Sequence, residues 1–456
     1  MSKPISSICD IDAIVEGTAR LTVQQAIDLY HHAPLHDLGR WATAVADRMH
    51  GDKVRTYVID RNVNYTNVCS ARCTFCAFRR DADEADAYTL DRAALHEKIG
   101  ELARIGGTQV LLQGGMNPDL PIAFYEQMLR DLAERFEQVH LHAFSPPEFV
   151  EFVACFDIDG YPTPGPTRAG ELSAGQFRGK LELIMQRLRD AGMKSLPGGG
   201  GEILVEHVRR RIGSTKADGR QWLDVMRTAH QLGMFTSATM MFGHIEGVAD
   251  RFMHMRMIRD AQDEAVRGMW PGRYVSFIGW PFQPDNTPLG RLPRHGVEGG
   301  EPFAGDVLAE RVLAGQVDPY DRAACNAAAP GAGKVLRLAG ATDYLRTQAL
   351  ARLFFDNVHS IGSSWVTMGP KIGQIALKFG ANDMGSVMME ENVVSAAGTT
   401  FCLNEASICH LIREAGYVPA QRDNVYTFIA VHEDAGPDMQ VDDWTSHRPA
   451  AAGAFG

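Results

Sequence analysis

Cys69, Cys73 and Cys76 stand on one short stretch in C-x3-C-x2-C spacing, within a chain of 456 residues. Three thiolates on one loop can hold three irons of a 4Fe-4S cluster and leave the fourth iron without a protein ligand. An iron left open can take a chelating ligand from solution, and an electron passed into that ligand can break one of its bonds. A structural zinc site would want four protein ligands, usually in Cys or Cys/His pairs. No second C-x2-C pair occurs, and no histidine follows Cys76 within several residues. A protein that uses the trio only for structure, holding zinc or an iron–sulfur cluster, is the non-enzymatic alternative. Phe75 and Phe78 flank the last cysteine and are candidates to pack on a cofactor.

The other cysteines, Cys9, Cys155, Cys325, Cys402 and Cys409, are scattered, which suits a reducing compartment better than a disulfide framework. With 45% hydrophobic and 22% charged residues the chain can bury a sizeable core. Its net charge of −11 argues against a sequence-independent nucleic-acid binder. The N-terminus has no apolar leader, and no run approaches the length of a membrane span. The expectation is a cytoplasmic enzyme with no nucleic-acid or membrane partner.

The elements that must position the cysteines alternate in type. Two helices are expected over 22–50, closed by Gly51. Strand-like runs follow at 57–66, 109–115, 139–145, 195–198, 236–242, 274–281, 357–361 and 385–389. Helical periodicity lies between them, as over 90–105, where Leu95, Ile99 and Leu102 share a face. Eight strands alternating with helices predict an α/β fold of parallel βα units, a (β/α)8 TIM-type barrel, with an open doubly wound sheet as the alternative. The organisation expected is an N-terminal helical segment (1–52), the barrel (53–392) and a C-terminal extension (393–456), loose after about 435. The Gly/Pro/Ala-rich segments 156–180 and 291–340 read as insertions.

In such barrels the chemistry sits at the C-terminal ends of the strands, and the cysteine loop follows the first strand directly. On that strand Asp60, Asn62, Asn64 and Thr66 share one face, and Ile59, Val63 and Tyr65 the other. The polar face should point into the barrel and meet a polar ligand; a satisfied hydrogen-bond ladder is the alternative. Gly114 and Gly115 allow close backbone approach after the second strand. Ser145 and Glu148 follow the third, Glu202 closes a Gly198–Gly201 run, and Gln283 follows the sixth. One of Arg209, Arg210 and Arg211 could pair bidentately with a carboxylate. His244 stands at a strand end, where a proton carrier and a structural histidine are both reasonable. Gly331-Ala332-Gly333-Lys334 fails as a phosphate loop, because Val335 replaces the Ser/Thr.

Several blocks carry a resemblance. The cysteine spacing with Phe75 resembles the radical S-adenosylmethionine superfamily. The runs 60–69, 107–115, 145–148, 195–200, 239–244 and 280–287 resemble the dehypoxanthine futalosine cyclases, the radical enzymes of the futalosine route to menaquinone. The likeness spans about 20–430, and the segments 156–180 and 291–340 depart from it. It implies a 4Fe-4S cluster on Cys69, Cys73 and Cys76, with S-adenosylmethionine held at the open iron by Phe75, Phe78, Gly114, Gly115, Ser145, Glu202 and Arg209. It implies that Asp60, Asn62, Asn64, Thr66 and Gln283 meet the substrate, dehypoxanthine futalosine, with His244 and Glu148 as catalytic candidates. A deoxyadenosyl radical would take the C4′ hydrogen of the substrate ribose, and the carbon radical would close onto the benzoate ring. An electron donor such as flavodoxin or ferredoxin is implied as a partner. Aminofutalosine synthase and the deazaflavin synthase subunits share much of this pattern and are the enzymatic alternatives.

Overall fold

The computed structural model describes residues 3–296 and 301–444. Helices Ile11–Glu16, Val23–His32 and Leu35–His50 lead the chain. The second opens on a reciprocal capping box between Thr22 and Gln25, and the third ends at Gly51, whose φ of 76° a side chain would disfavour.

Eleven strands follow: β1 (Val54–Val58), β2 (Asp60–Asn64), β3 (Gln109–Gln113), β4 (His140–Ala143), β5 (Ser195–Leu196), β6 (Phe235–Phe242), β7 (Tyr274–Pro281), β8 (Ser360–Gly362), β9 (Asp383–Ser386), β10 (Val418–Arg422) and β11 (Phe428–Val431). β1 and β2 form one run broken at Ile59. Its first half pairs in parallel with β9, and its second half pairs in parallel with β3. Parallel pairing continues from β3 through to β9, so this run joins the two ends of the sheet and closes it. The result is a barrel of eight parallel positions rather than an open doubly wound sheet, and all eight expected strand runs are present.

The C-terminal segment carries two further strands. β10 adds in parallel to the edge of β1 opposite β9, and β11 pairs antiparallel with β10. Residues expected to form an extension beyond the barrel therefore continue its sheet. Beyond 435, Asp438 is buried and accepts from Arg413 at 2.7 Å; residues 445–456 lie outside the described residues. Of the two presumed insertions, 156–180 contains the start of a 17-residue helix, Ala174–Asp190. The segment 291–340 contributes helices Ala304–Leu313 and Arg322–Ala328, which share a small apolar cluster of Leu308, Cys325, Ala329 and Ala332. No helix among the described residues is long and apolar enough to cross a membrane.

The two faces of β2 divide as its alternation requires. Val63 and Tyr65 are fully buried outside the barrel. Tyr65 there meets Tyr125 and Phe144 edge-on, at centroid distances of 5.7 and 5.9 Å. Asp60, Asn62 and Asn64 face the lumen.

Candidate active site

A cavity of about 470 Å³ runs through the lumen, a size suited to a small-molecule ligand. At one end it is walled by Cys69, Cys76, Phe75 and Phe78, and at the other by Asp60, Gln109 and Arg422.

The cysteine loop is fastened from several directions. Cys69 N donates to Arg80 O (3.1 Å), Ser70 N to Met116 O (2.8 Å) and Thr74 N to Ile212 O (2.8 Å). Ser70 Oγ donates to Glu151 at 2.5 Å, and Arg79 Nε to Cys69 O at 3.2 Å. Burial pushes the Cys69 thiol up to about 11 and the Cys73 thiol up to about 12, with the neighbouring thiols adding to the shift. Coordination to iron removes such protons. Among the described residues no three His, Cys, Asp or Glu side chains converge as on a single metal ion. Three soft donors on one fixed loop fit the ligand set of a cluster.

Gly114 and Gly115 are needed for packing. A Cβ on Gly115 would lie 2.1 Å from Val68 O and 3.0 Å from Cys69 Cβ, and one on Gly114 would lie 2.5 Å from the Tyr65 ring. Glu148 fixes this corner. Its Oε1 accepts from Tyr65 OH (2.6 Å) and Gly114 N (3.1 Å), and its Oε2 from Ser145 N (2.7 Å) and Ser145 Oγ (2.6 Å). Burial raises its pKa, and these four bonds oppose the rise. A carboxylate with four donors already in place is a clamp on the Gly114 turn and on Ser145, which both line the cavity, rather than a free acid or base.

Glu202 also lines the cavity, and its carboxyl pairs with Lys216 and lies 3.7 Å from Arg209 Nη1. Burial alone would raise its pKa, but Lys216 and then Arg209 hold it below the ordinary range. Lys216 also stands 4.9 Å over the Phe75 ring, joining this pair to the cysteine loop. Both terminal nitrogens of Arg209 are buried without a hydrogen-bond partner among the described residues. Its Nε donates to Ala217 O at 2.6 Å, and Arg209 stands behind Glu202 rather than in the cavity wall. Arg210 pairs with Glu206, and Arg211 with His207 O and Asn326, so neither reaches the site.

On β2, Asn62 Nδ2 donates to Glu391 at 3.0 Å, while Asn62 Oδ1 is buried without a partner. Asn64 donates to Gln113 O at 3.2 Å. Burial pushes Asp60 up to about 6, against hydrogen bonds from Ser386 and Gln109.

Three residues singled out from the sequence lie elsewhere. Thr66 is buried, donating to Tyr88 O at 2.7 Å, and does not line the cavity. Gln283 donates to Pro281 O at 3.1 Å. His244 is fully buried behind the barrel end. Its Nδ1 accepts from Ile245 N (2.8 Å) and its Nε2 donates to Met241 O (3.2 Å), so both ring nitrogens serve the turn that Gly243 (φ 82°) begins. That arrangement assigns it to structure. The structure adds His142, Lys216, Arg79, Arg422, Asn424 and Tyr426 to the site or its immediate support. The last three are supplied by β10 and the turn after it, with no motif to announce them.

Comparisons with known proteins agree with this geometry. Residues 63–258 match the radical SAM superfamily, and 333–435 match the CofH/MqnC C-terminal region. The chain is 37% identical over 427 residues to the cyclic dehypoxanthine futalosine synthase of Halalkalibacterium halodurans, covering 93% of this chain and 96% of that one. It is 34% identical to the enzyme of the same name from Streptomyces coelicolor, covering 97% and 95%. A 5-amino-6-(D-ribitylamino)uracil–L-tyrosine 4-hydroxyphenyl transferase from Methanopyrus kandleri is 33% identical, with 92% and 94% covered. Among solved structures, methylornithine synthase superposes with a TM-score of 0.58 at 15% identity, over 90% of this chain and 97% of that one. The cofactors are accordingly a 4Fe-4S cluster and S-adenosylmethionine. The barrel, the cysteine loop at its end and relatives matched over nearly their whole length lead to one assignment: this chain belongs to the radical SAM superfamily and, within it, to the cyclic dehypoxanthine futalosine synthase family.

Proposed function

We propose that this protein converts dehypoxanthine futalosine to its cyclic form. The observation that carries the reading is one continuous lumen with the cysteine loop at one end and hydrogen-bonding side chains along β2 below it. Cys69, Cys73 and Cys76 would hold the cluster, and Glu202, with Arg209 behind it, and the Gly114 turn would hold S-adenosylmethionine. Bound there, the two cofactors would supply the radical chemistry that removes the C4′ hydrogen of the substrate ribose. The protein orients the ribose and excludes water. Asn62, with one unengaged carbonyl oxygen, and Asn64 present amide groups to the sugar hydroxyls. Ile278, Trp280 and Val393 give apolar wall on which an aromatic ring can lie. Holding sugar and ring in one cavity replaces a search between two flexible ends of the substrate. Glu148 keeps the Gly114 turn and Ser145 in place. A cytoplasmic enzyme reduced by flavodoxin or ferredoxin fits this chemistry.

The 4-hydroxyphenyl transferases are the alternative to separate, at 33% identity for the Methanopyrus protein. Anaerobically reconstituted enzyme should be given dehypoxanthine futalosine, or instead tyrosine with 5-amino-6-(D-ribitylamino)uracil. Consumption of the first alone supports the reading, and consumption of the second pair overturns it.

A further inference from the structure

Closure of a carbon radical onto an aromatic ring leaves a hydrogen on the attacked ring carbon that must depart as a proton. We propose that His142 is the base that takes this proton and that Ser195 and His140 carry it out of the barrel. The inference rests on the cyclase reading and assigns a step that the reading leaves open.

β4 places His140 and His142 on the lumen side of the barrel, two residues apart, and Ser195 pairs with His142 across the sheet. The Ser195 hydroxyl lies 2.6 Å from His140 Nε2 and 2.6 Å from His142 Nδ1. A hydroxyl has a single proton, so it can donate to only one of the two rings and must accept from the other. In the base-competent arrangement His142 Nδ1–H donates to Ser195 Oγ, and Ser195 O–H donates to His140 Nε2. His142 Nε2 then carries a lone pair. It makes no hydrogen bond with a described residue, and the ring lines the cavity. His140, at the other end of the chain of bonds, is half-buried and gives the proton a way out. Burial lowers the pKa of His142, with His140 and Arg422 acting the same way, so its neutral form prevails near pH 7. Burial lowers His140 to about 4, with Lys194 adding to the shift and Asp423 opposing it. Arg422 is itself bound to Asp383 at 2.8 and 2.9 Å.

The other basic groups in the wall are engaged. Asp60 accepts from Ser386 and Gln109, Glu391 from Asn62 and the Val393 and Val394 amides, and Glu148 from four donors. Of the carboxylates and imidazoles named here, His142 alone combines an unengaged acceptor with an exit.

The step balances. C4′ forms a bond to the ring carbon, and the C–H bond there breaks heterolytically. The proton goes to His142 Nε2 while His142 Nδ1–H passes to Ser195 and the Ser195 proton to His140. The electron left on the ring goes to a one-electron acceptor of the iron–sulfur class, and the aromatic ring is restored.

The test uses the full reconstituted enzyme with dehypoxanthine futalosine deuterated at C4′, reading two quantities: deuterium in 5′-deoxyadenosine, and cyclised product formed per 5′-deoxyadenosine. His142→Gln keeps a hydrogen-bonding side chain in place but cannot take the proton. Deuterium transfer should persist while product per 5′-deoxyadenosine falls by about a hundredfold. Ser195→Ala should lower the same ratio, and Ser195→Thr, which retains the hydroxyl, should restore it. A His142→Gln ratio equal to wild type, or Ser195→Ala and Ser195→Thr behaving alike, overturns the proposal. Absence of deuterium transfer in the wild type would overturn the cyclase reading instead.

Discussion

Gly115→Ala tests whether the packing behind the cysteine loop sets its position. The added Cβ would fall 2.1 Å from Val68 O and 2.7 Å from Val68 C, both backbone atoms, and 3.0 Å from Cys69 Cβ. Rotating a side chain cannot relieve these contacts. The two segments are also stitched together, by Gly115 N to Thr66 O (2.8 Å) and Ser70 N to Met116 O (2.8 Å). Either the loop moves or these bonds break, at about 1–3 kcal/mol for the overlap and about 1 kcal/mol for each bond lost. Unfolding entropy of roughly 2 cal/mol/K per residue makes the melting shift small for 456 residues, about 1–5 °C. Iron content is the sensitive readout. It should fall from about four irons per chain to well under half, because Cys69 no longer points where the other two do. Gly175→Ala is the control: its Cβ meets nothing within 4 Å, in the first turn of helix Ala174–Asp190. That change should leave iron unaltered and stabilise by up to about 1 kcal/mol. Full iron loading and an unshifted melting temperature in Gly115→Ala would refute the reasoning.

Glu148→Ala strands Tyr65 OH, Gly114 N and both Ser145 donors, so it should cost roughly 3–5 kcal/mol by urea titration, with activity lost in parallel. Normal stability with no turnover would instead make Glu148 catalytic. His244→Leu unpairs Ile245 N and Met241 O and should destabilise by roughly 2–4 kcal/mol while turnover per folded molecule stays within about twofold; loss of turnover at unchanged stability would return it to the active site. Asp60 gives a pH signature. Its folded pKa, raised from 3.8 to about 6, means that the folded state binds the proton more tightly. Stability from this group is complete below about pH 4 and falls by up to roughly 3 kcal/mol as pH rises through 6. Urea midpoints across that window should show the step in wild type and lose it in Asp60→Asn; a step of equal size in the variant would assign it to other groups.

The parts of the fold that follow from local pattern were legible in the sequence. The eight barrel strands are short apolar or alternating runs separated by helical periodicity, and each is present. β10 was not legible: Val418–Arg422 contains Pro419, sits far from the repeating units and becomes a strand because β1 offers it an edge. The same limit governed the site. Cysteine spacing, paired glycines and a polar strand face can be read along the chain, and the structure brings Cys69, Gly115, Asn62 and Glu202 around one cavity. His142, Lys216 and Arg422 reach it through tertiary placement, which local spacing does not encode. His244 shows the reverse error. A strand-end position says where a residue stands, but the turn at Gly243 decides where the ring points, and it points into the backbone.

The central claim is tested most directly by following hydrogen from substrate to cofactor. Reconstituted enzyme, a reductant, adenine-labelled S-adenosylmethionine and C4′-deuterated dehypoxanthine futalosine should yield deuterated 5′-deoxyadenosine and a cyclised product free of adenine label. Undeuterated 5′-deoxyadenosine alongside untouched substrate, or adenine label carried into the product, would contradict the account.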